Sequence, residues 1–432
     1  MGGPNLKRLA LLAVLAAGAL WVTSAPAQAA RASSWCGTPG TVDRLPEGSP
    51  GAPVHEIYAI ASDGVDRLST EIGTQMQTDA ELIDSWWRGQ DPTRTPRFDT
   101  LGFGCGQQLD ISLVKLTSTV AELQPIGSRF GRIISGLDAA GFSSSATKYI
   151  VYYDGPGDGS NVCGEGAGAA EGEGVAIVFI SACAGLPSSV VAAHELLHSL
   201  GALPAPGPPH PCPGDDGHPC DSQLDILYPS SDGTPLTGLT LDVGHDDYYA
   251  HSGSWFDIQD SRWLRHLDTA PTHLSVVIQG VGTITSDVPG ISCTASCESD
   301  WDANQPVALA AVAGPGMRFV RWSGGCTGTF DCTVGLASAT TVTALFAPAT
   351  FALTISVTGH GGVRTSSSAV ACAARCRLAV VSYEPISLRA VPVAGWRFTR
   401  WAGACRGTRP TCSLPMTSVE AARAVFAKRK KS

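Results

Sequence analysis

Val190-Val191-Ala192-Ala193-His194-Glu195-Leu196-Leu197-His198-Ser199-Leu200-Gly201 is the stretch whose reading decides the fold. On a helix of 3.6 residues per turn, His194 and His198 lie one turn apart on the same face, so both imidazoles can reach one metal ion. Glu195 lies about a quarter turn round, off that face yet close enough to take a proton from a water at the site. It reads as a general base. Ser188 and Ser189 stand where they would cap the first amides, Gly201 where a left-handed residue ends a helix, and Pro204 forbids continuation. The plain alternative is two surface histidines on an ordinary helix.

At the amino end, residues 1–30 carry Lys7 and Arg8, an apolar run over 9–22, and Ala27-Gln28-Ala29 as a small-residue cleavage site. That is the pattern of an export signal, and no later stretch approaches the ~18 apolar residues of a membrane span. A secreted, extracellular protein follows, with no membrane contact after the signal is removed. The net charge of −9 is spread without long runs and argues against nucleic acid. Fourteen cysteines, an even number in an exported chain, point to disulfides rather than thiolate metal sites. A metal would then be held by nitrogen and oxygen.

After a Pro/Gly-rich lead over 31–53, residues 56–61 (EIYAIA) read as a buried strand and 66–88 as a long helix. Residues 109–116 alternate as a second strand, 119–140 form a second helix, and 149–153 a third strand. A glycine-rich loop over 155–174 leads to a fourth strand at 175–180 (VAIVFI), and the histidine helix follows. The fold class is α+β: a twisted mixed sheet with helices against it. Residues 241–251 (LDVGHDDYYAH) are dense in polar groups, with His245 and His251 as further ligand candidates and Tyr248 or Tyr249 as donors to an oxyanion; two tyrosines packed in a surface loop is the plain reading. Residues 255–267 resemble a closing helix.

His194-Glu195-x-x-His198-x-x-Gly201 after that layout resembles the metzincin clan of zinc peptidases. The resemblance covers 54–268 and implies a zinc peptidase domain, with zinc on His194 and His198 and Glu195 catalytic. The clan places its third ligand three residues after the glycine, where this chain has Pro204, which has no lone pair to give. Another group must complete the set. Residues 205–225 offer His210, His218, Asp215, Asp216 and Asp221; His218 is preferred because Cys212 and Cys220 are spaced to close a small loop around it, and His210 is second. Asp225-Ile226-Leu227-Tyr228-Pro229 sits where the clan has its Met-turn, with Leu227 in the methionine position as a near-isosteric support. Cys36 is expected to bridge to Cys105 rather than to hold the metal.

From Leu274 the chain repeats itself at an offset of 79: Cys293, Cys297 and Cys326 recur as Cys372, Cys376 and Cys405, and Gly316-x-x-Phe319-x-x-Trp322 as Gly395-x-x-Phe398-x-x-Trp401. Alternating runs and glycine turns make each copy a small all-β unit, over 272–347 and 351–427, before a solvated basic tail at 428–432. Local bridges (Cys293 with Cys297, Cys326 with Cys332, Cys372 with Cys376, Cys405 with Cys412) would reinforce thin cores. The copies resemble the divergent bacterial repeat related to the B-repeats of internalins. Trp322 and Trp401 are expected in the core, with glycan platforms as the other reading.

The expectation is therefore a secreted zinc metalloendopeptidase with His194, His198 and His218 on Zn2+, Glu195 as base, and a protein or peptide substrate. The repeats are expected to serve as spacers or to make cell-wall or glycan contacts. The rival readings are an adhesion or wall-binding protein that has lost its metal, and a zinc amidase acting on cell-wall material.

Overall fold

The protein is described by a computed structural model over residues 34–44, 50–157, 161–182, 185–203, 209–366, 368–382 and 384–430. The expected signal and Pro204 lie outside the described residues. Continuous apolar runs form one sheet. In chain order the elements are β1 (Val54–Ile60), α1 (Thr70–Gln90), β2 (Arg94–Pro96), β3 (Thr100–Phe103), β4 (Gly106–Leu109), β5 (Ile111–Lys115), α2 (Val120–Leu123), α3 (Ile126–Ala139), β6 (Lys148–Tyr153), β7 (Gly164–Gly168), β8 (Gly174–Phe179) and α4 (Ser188–Ser199). A hairpin of β9 (Pro211–Cys212) and β10 (Asp215–Pro219) follows, then β11 (Leu264–His266).

The main sheet has the order β5-β1-β6-β8-β7. Its first four strands are parallel and β7 runs antiparallel to β8 at the edge. Every residue of β1 is buried, as a parallel strand covered on both faces requires. Alternate residues serve opposite faces: Tyr58, Ile150 and Val178 pack with Met76, Ile83, Val191 and Leu196 of α1 and α4, while Ile57, Val151 and Ile177 pack with Ile133 and Leu137 of α3.

Several expectations are corrected. The helix expected over 119–140 is two, because Pro125 stands at the boundary and becomes the N-cap of α3. The strand expected over 109–116 breaks at Asp110, whose N–H donates to Asp99 O and whose carboxylate pairs with Arg44. The closing helix expected over 255–267 is a single 3-10 turn, Ile258–Asp260, followed by β11, which pairs antiparallel with β2. Long-range pairing to β2 there outweighs local helix preference. Ser188 and Ser189 do not cap α4; Pro187 holds the cap position and no side chain bonds there.

The two tail copies share one topology. Each has two four-stranded sheets, ordered in the first copy Cys297–Trp301, Thr272–Gln279, Thr340–Pro348, Met317–Gly324 and Ser292–Cys293, Gly282–Ser286, Pro306–Ala313, Cys332–Gly335. All six expected bridges are present: Cys36–Cys105, Cys212–Cys220, Cys293–Cys297, Cys326–Cys332, Cys372–Cys376 and Cys405–Cys412. Cys163 is disulfide-bonded as well. Trp322 and Trp401 are core residues, each 2% exposed. Among the described residues, no helix is long and apolar enough to cross a membrane.

Candidate metal centre

Helix α4 is laid so closely under the edge strand that only glycine fits between them. A Cβ on Gly164 would stand 2.7 Å from the Glu195 carboxylate, and one on Gly166 would stand 2.6 Å from Glu195 O and 2.9 Å from His198 Cβ. The Gly-Glu-Gly-Ala-Gly run of β7 therefore lets the strand roof the helix. Gly201 ends the helix region with φ 93°, as its position in the sequence suggested.

Three imidazoles converge beside this roof. His194 Nε2 lies 3.2 Å from His198 Nε2 and 3.3 Å from His218 Nε2, and the third edge, His198 to His218, is 3.3 Å. Nitrogens bound at roughly 2.0 to 2.1 Å around a tetrahedral zinc would be separated by roughly 3.3 to 3.4 Å, so the triangle fits such an ion. Two of the outer nitrogens are engaged. His194 Nδ1 donates to Ile226 O at 2.7 Å, and His218 Nδ1 lies 2.8 Å from Asp215 Oδ2, which leaves both Nε2 lone pairs facing the centre. Burial pushes His194 down to about 4, and burial followed by the neighbouring imidazoles pushes His198 well below its usual value. His194 and His198 are therefore neutral near pH 7, the state in which imidazole binds a metal.

Glu195 is 7% exposed between α4 and β7. Burial first, then Glu165, raises its carboxyl to about 8. A cation at the imidazoles would draw that value down, so the side chain sits where it can either hold or release a proton.

His218 is carried by the β9–β10 hairpin, closed by Cys212–Cys220 and by the Cys220 N–H donating to His210 O. Beneath lies the turn at Asp225, with Leu227 fully buried. Asp225 accepts hydrogen bonds from Leu227 N, Val243 N and the Tyr248 hydroxyl, which fixes the carbonyl of Ile226 against His194. Asp242 in turn accepts from the N–H groups of Asp247, Tyr248 and Tyr249. The sequence showed Asp225 as part of a turn, but neither its role as anchor nor that of Asp242.

The other candidates lie elsewhere. His210 pairs with Asp247, His245 faces Tyr249 O, and His251 stacks on Trp255. Tyr248 and Tyr249 are buried, bonded to Asp225 and Asp91. Asp216 and Asp221 are exposed, and Asp221 groups with His210, Asp246 and Asp247 rather than with the three imidazoles.

Residues 275–350 and 351–430 each match the family model of the divergent InlB B-repeat domain. No curated protein matches the chain. Among solved structures it is similar to metalloproteinase-II from Bacteroides fragilis, at 17% identity over 47% of this chain and 54% of that one, with TM-score 0.26. The chain thus spans about half the length of that structure. It is also similar to OgpA from Akkermansia muciniphila, at 10% identity over 90% and 98% with TM-score 0.28, and to GBS52, the minor pilin of Streptococcus agalactiae, at 7% identity over 37% and 98% with TM-score 0.16. Likenesses of this size carry no argument about function.

Proposed function

We propose that this protein is a secreted zinc-dependent endopeptidase whose metzincin-like catalytic unit spans 54–268, followed by two β modules at 272–347 and 351–427. The observation that carries the reading is the triangle of imidazole nitrogens, 3.2 to 3.3 Å on each edge, next to a buried carboxylate on the same helix. His194, His198 and His218 would hold the ion. When bound, zinc lowers the pKa of water toward neutrality and polarises a carbonyl. Glu195 takes the proton from the attacking water at its carboxylate and gives it to the departing amide nitrogen. Ile226 O and Asp215 orient two of the rings, and β7 keeps bulk water off one side of Glu195. The substrate is a protein or peptide; the modules serve as spacers or wall contacts.

The test joins metal analysis of the purified full chain to cleavage of casein. About one zinc per chain is expected, retained in Glu195→Ala while the rate falls by about 10²- to 10⁴-fold. His218→Ala should lose the metal as well as the activity. A wild-type chain that takes up no stoichiometric zinc, or a Glu195→Ala chain that cleaves as fast as wild type, would end the peptidase reading.

A further inference from the structure

Charge, unlike fold, is divided unevenly between the two tail modules. Residues 351–430 hold twelve Lys and Arg against two acids, whereas 272–350 hold two Arg against five acids. The acids of the first module are engaged: Asp287 pairs with Arg262 at 2.7 Å, Asp302 accepts from the Arg97 guanidinium and His266 N, and Glu298 and Asp300 both face His273. Together with Gly51 N donating to Pro289 O at 3.0 Å, the pairs of Asp287 and Asp302 hold that module to the α/β unit. The arginines of the second module have no such answer. Among the described residues none of its Lys or Arg side chains forms an ion pair, and Glu420 accepts from the Ser418 hydroxyl instead.

Strand register collects five of these arginines on one face. The sheet runs Arg375–Val381, Thr350–Thr358, Glu420–Lys428, Trp396–Gly403. Leu353, Ile355, Ala422, Ala424 and Trp401 turn inward to the core, so the alternate positions turn out. Arg375 and Arg423 stand opposite Ser356 from either side, and Arg377 follows Arg375 by two residues. Ala402 pairs with Arg423, which makes Arg400 its diagonal neighbour. The bulge at Phe398/Arg400 adds one residue to its strand, and this brings both Arg397 and Arg400 to the outer face, opposite Ala427 and Val425. All five are exposed. Taken in the order Arg377, Arg375, Arg423, Arg400, Arg397 they form a diagonal track across the sheet, with steps of roughly 7 to 10 Å and a length of roughly 25 Å.

Three of the positions are particular to this module: Arg375, Arg377 and Arg423 stand where the first copy has Ser296, Glu298 and Thr343. Between the arginines the outer face carries only Ala, Ser, Thr and Val. It has no acid to neutralise the track, no aromatic ring for a nucleic-acid base to stack on, and no long apolar side chain to enter a bilayer. Thr354 and Ser356 set hydroxyls along its middle strand. Charges no farther apart than the Debye length, about 10 Å at 0.1 M salt, act together on a polyanion. A narrow, straight path of this kind suits an extended chain with acid groups at intervals and hydroxyls between them.

We propose that this face binds a linear acidic polysaccharide laid along the track, with its carboxylate or sulfate groups on the arginines and its hydroxyls at Thr354 and Ser356. This names a partner for the wall-contact role of the modules and uses no residue of the imidazole centre, so either reading can fail alone.

The test titrates the full chain calorimetrically in 0.1 M salt with a heparin octasaccharide and with octagalacturonate, and with a dextran oligosaccharide as the neutral control. At least one acidic chain should bind with a Kd on the order of 10 μM or tighter, and dextran at least about a hundredfold more weakly. Arg375→Ala/Arg423→Ala should weaken binding by about tenfold or more. Arg364→Ala/Arg389→Ala removes the same charge from a pair directly opposite each other on the outer face of the module's other sheet, and should weaken it by less than about threefold. Arg377→Glu, the substitution that matches the first module, should weaken it several-fold by itself. Every one of these changes is at an exposed position, and melting temperature, zinc content and casein cleavage should stay as in the wild type. No binding of either acidic chain, equal losses from the two double variants, or tighter binding of oligo(dT) or of phosphatidylserine vesicles than of the acidic sugars would overturn the assignment.

Discussion

The two tail modules are the same object put to two uses. Their internal details coincide: the indole of Trp322 donates to Phe330 O at 2.9 Å and that of Trp401 to Arg409 O at 3.0 Å, and the strand bulge at Phe319/Arg321 recurs at Phe398/Arg400. Their cores differ in company. The buried residues of the second copy form a cluster of their own, whereas those of the first, including Val288, Ile291 and Trp301, merge with the α1/α4 side of the α/β unit. At the 79-residue offset Asp287, Trp301 and Asp302 become Ser366, Val380 and Val381. Docking therefore depends on a few outward positions laid over an unchanged scaffold, not on a different fold.

Deletion breaks the comparison most strongly. A chain ended after Ala349 loses only a module with its own core, and the remainder should melt within a few degrees of the full protein. A chain ended after Asp268 uncovers apolar surface that Val288, Ile291 and Trp301 close, and its melting temperature should drop by about 10 °C or more. Calorimetry of both truncations checks this; equal losses would mean that the first module is not part of the folded unit. Next in size is Arg97→Ala, which strands Asp302 in a buried junction at a cost of about 3 to 5 kcal/mol. Val381→Ala, at the equivalent place in the second copy, is half-exposed and should cost under about 1 kcal/mol. Urea unfolding separates the two; a similar shift from both would refute the docking account.

The same contrast explains what could be read from the residues in advance. The copies were legible because cysteine, glycine and tryptophan spacings recur, and His194, Glu195 and His198 because helix geometry alone places them. His218 was legible through the two cysteines around it, whose bridge restricts where the ring can go. The edge strand β7 was not: Gly-Glu-Gly-Ala-Gly has neither alternating hydrophobicity nor β-branched residues; it is a strand through its pairing with β8, and positions 164, 166 and 168 are glycine where α4 lies too near for a side chain. The Arg97–Asp302 pair was equally hidden, since partners 205 residues apart leave no local pattern. Residues 255–267 look helical for the opposite reason, as a locally reasonable pattern overruled by a ladder to β2.

The subtlest difference lies in the cores themselves. The layer between β1 and α1 contains two acids, Glu56 at 0% and Asp79 at 1% exposure, while no acid is buried among the described residues of the second module. Asp79 accepts from the Tyr152 hydroxyl at 3.1 Å and from Gln75 at 2.9 Å, yet burial still raises it from 3.8 to about 6; burial and Asp79 together raise Glu56 well above its usual range. A carboxyl that keeps its proton to a higher pH in the folded state than in the unfolded one makes the folded state the better proton binder between the two values. Stability contributed by Asp79 is thus present below about pH 4 and is lost as pH rises to about 6. Asp79→Asn should remove that part of the slope, worth at most about 3 kcal/mol, leaving the variant more stable than wild type relative to their difference at pH 4. Urea unfolding of both chains at pH 4, 5, 6 and 7 measures it. Parallel pH curves for the two chains would show that the acid carries no such strain, and that the cores differ in composition without differing in their response to protons.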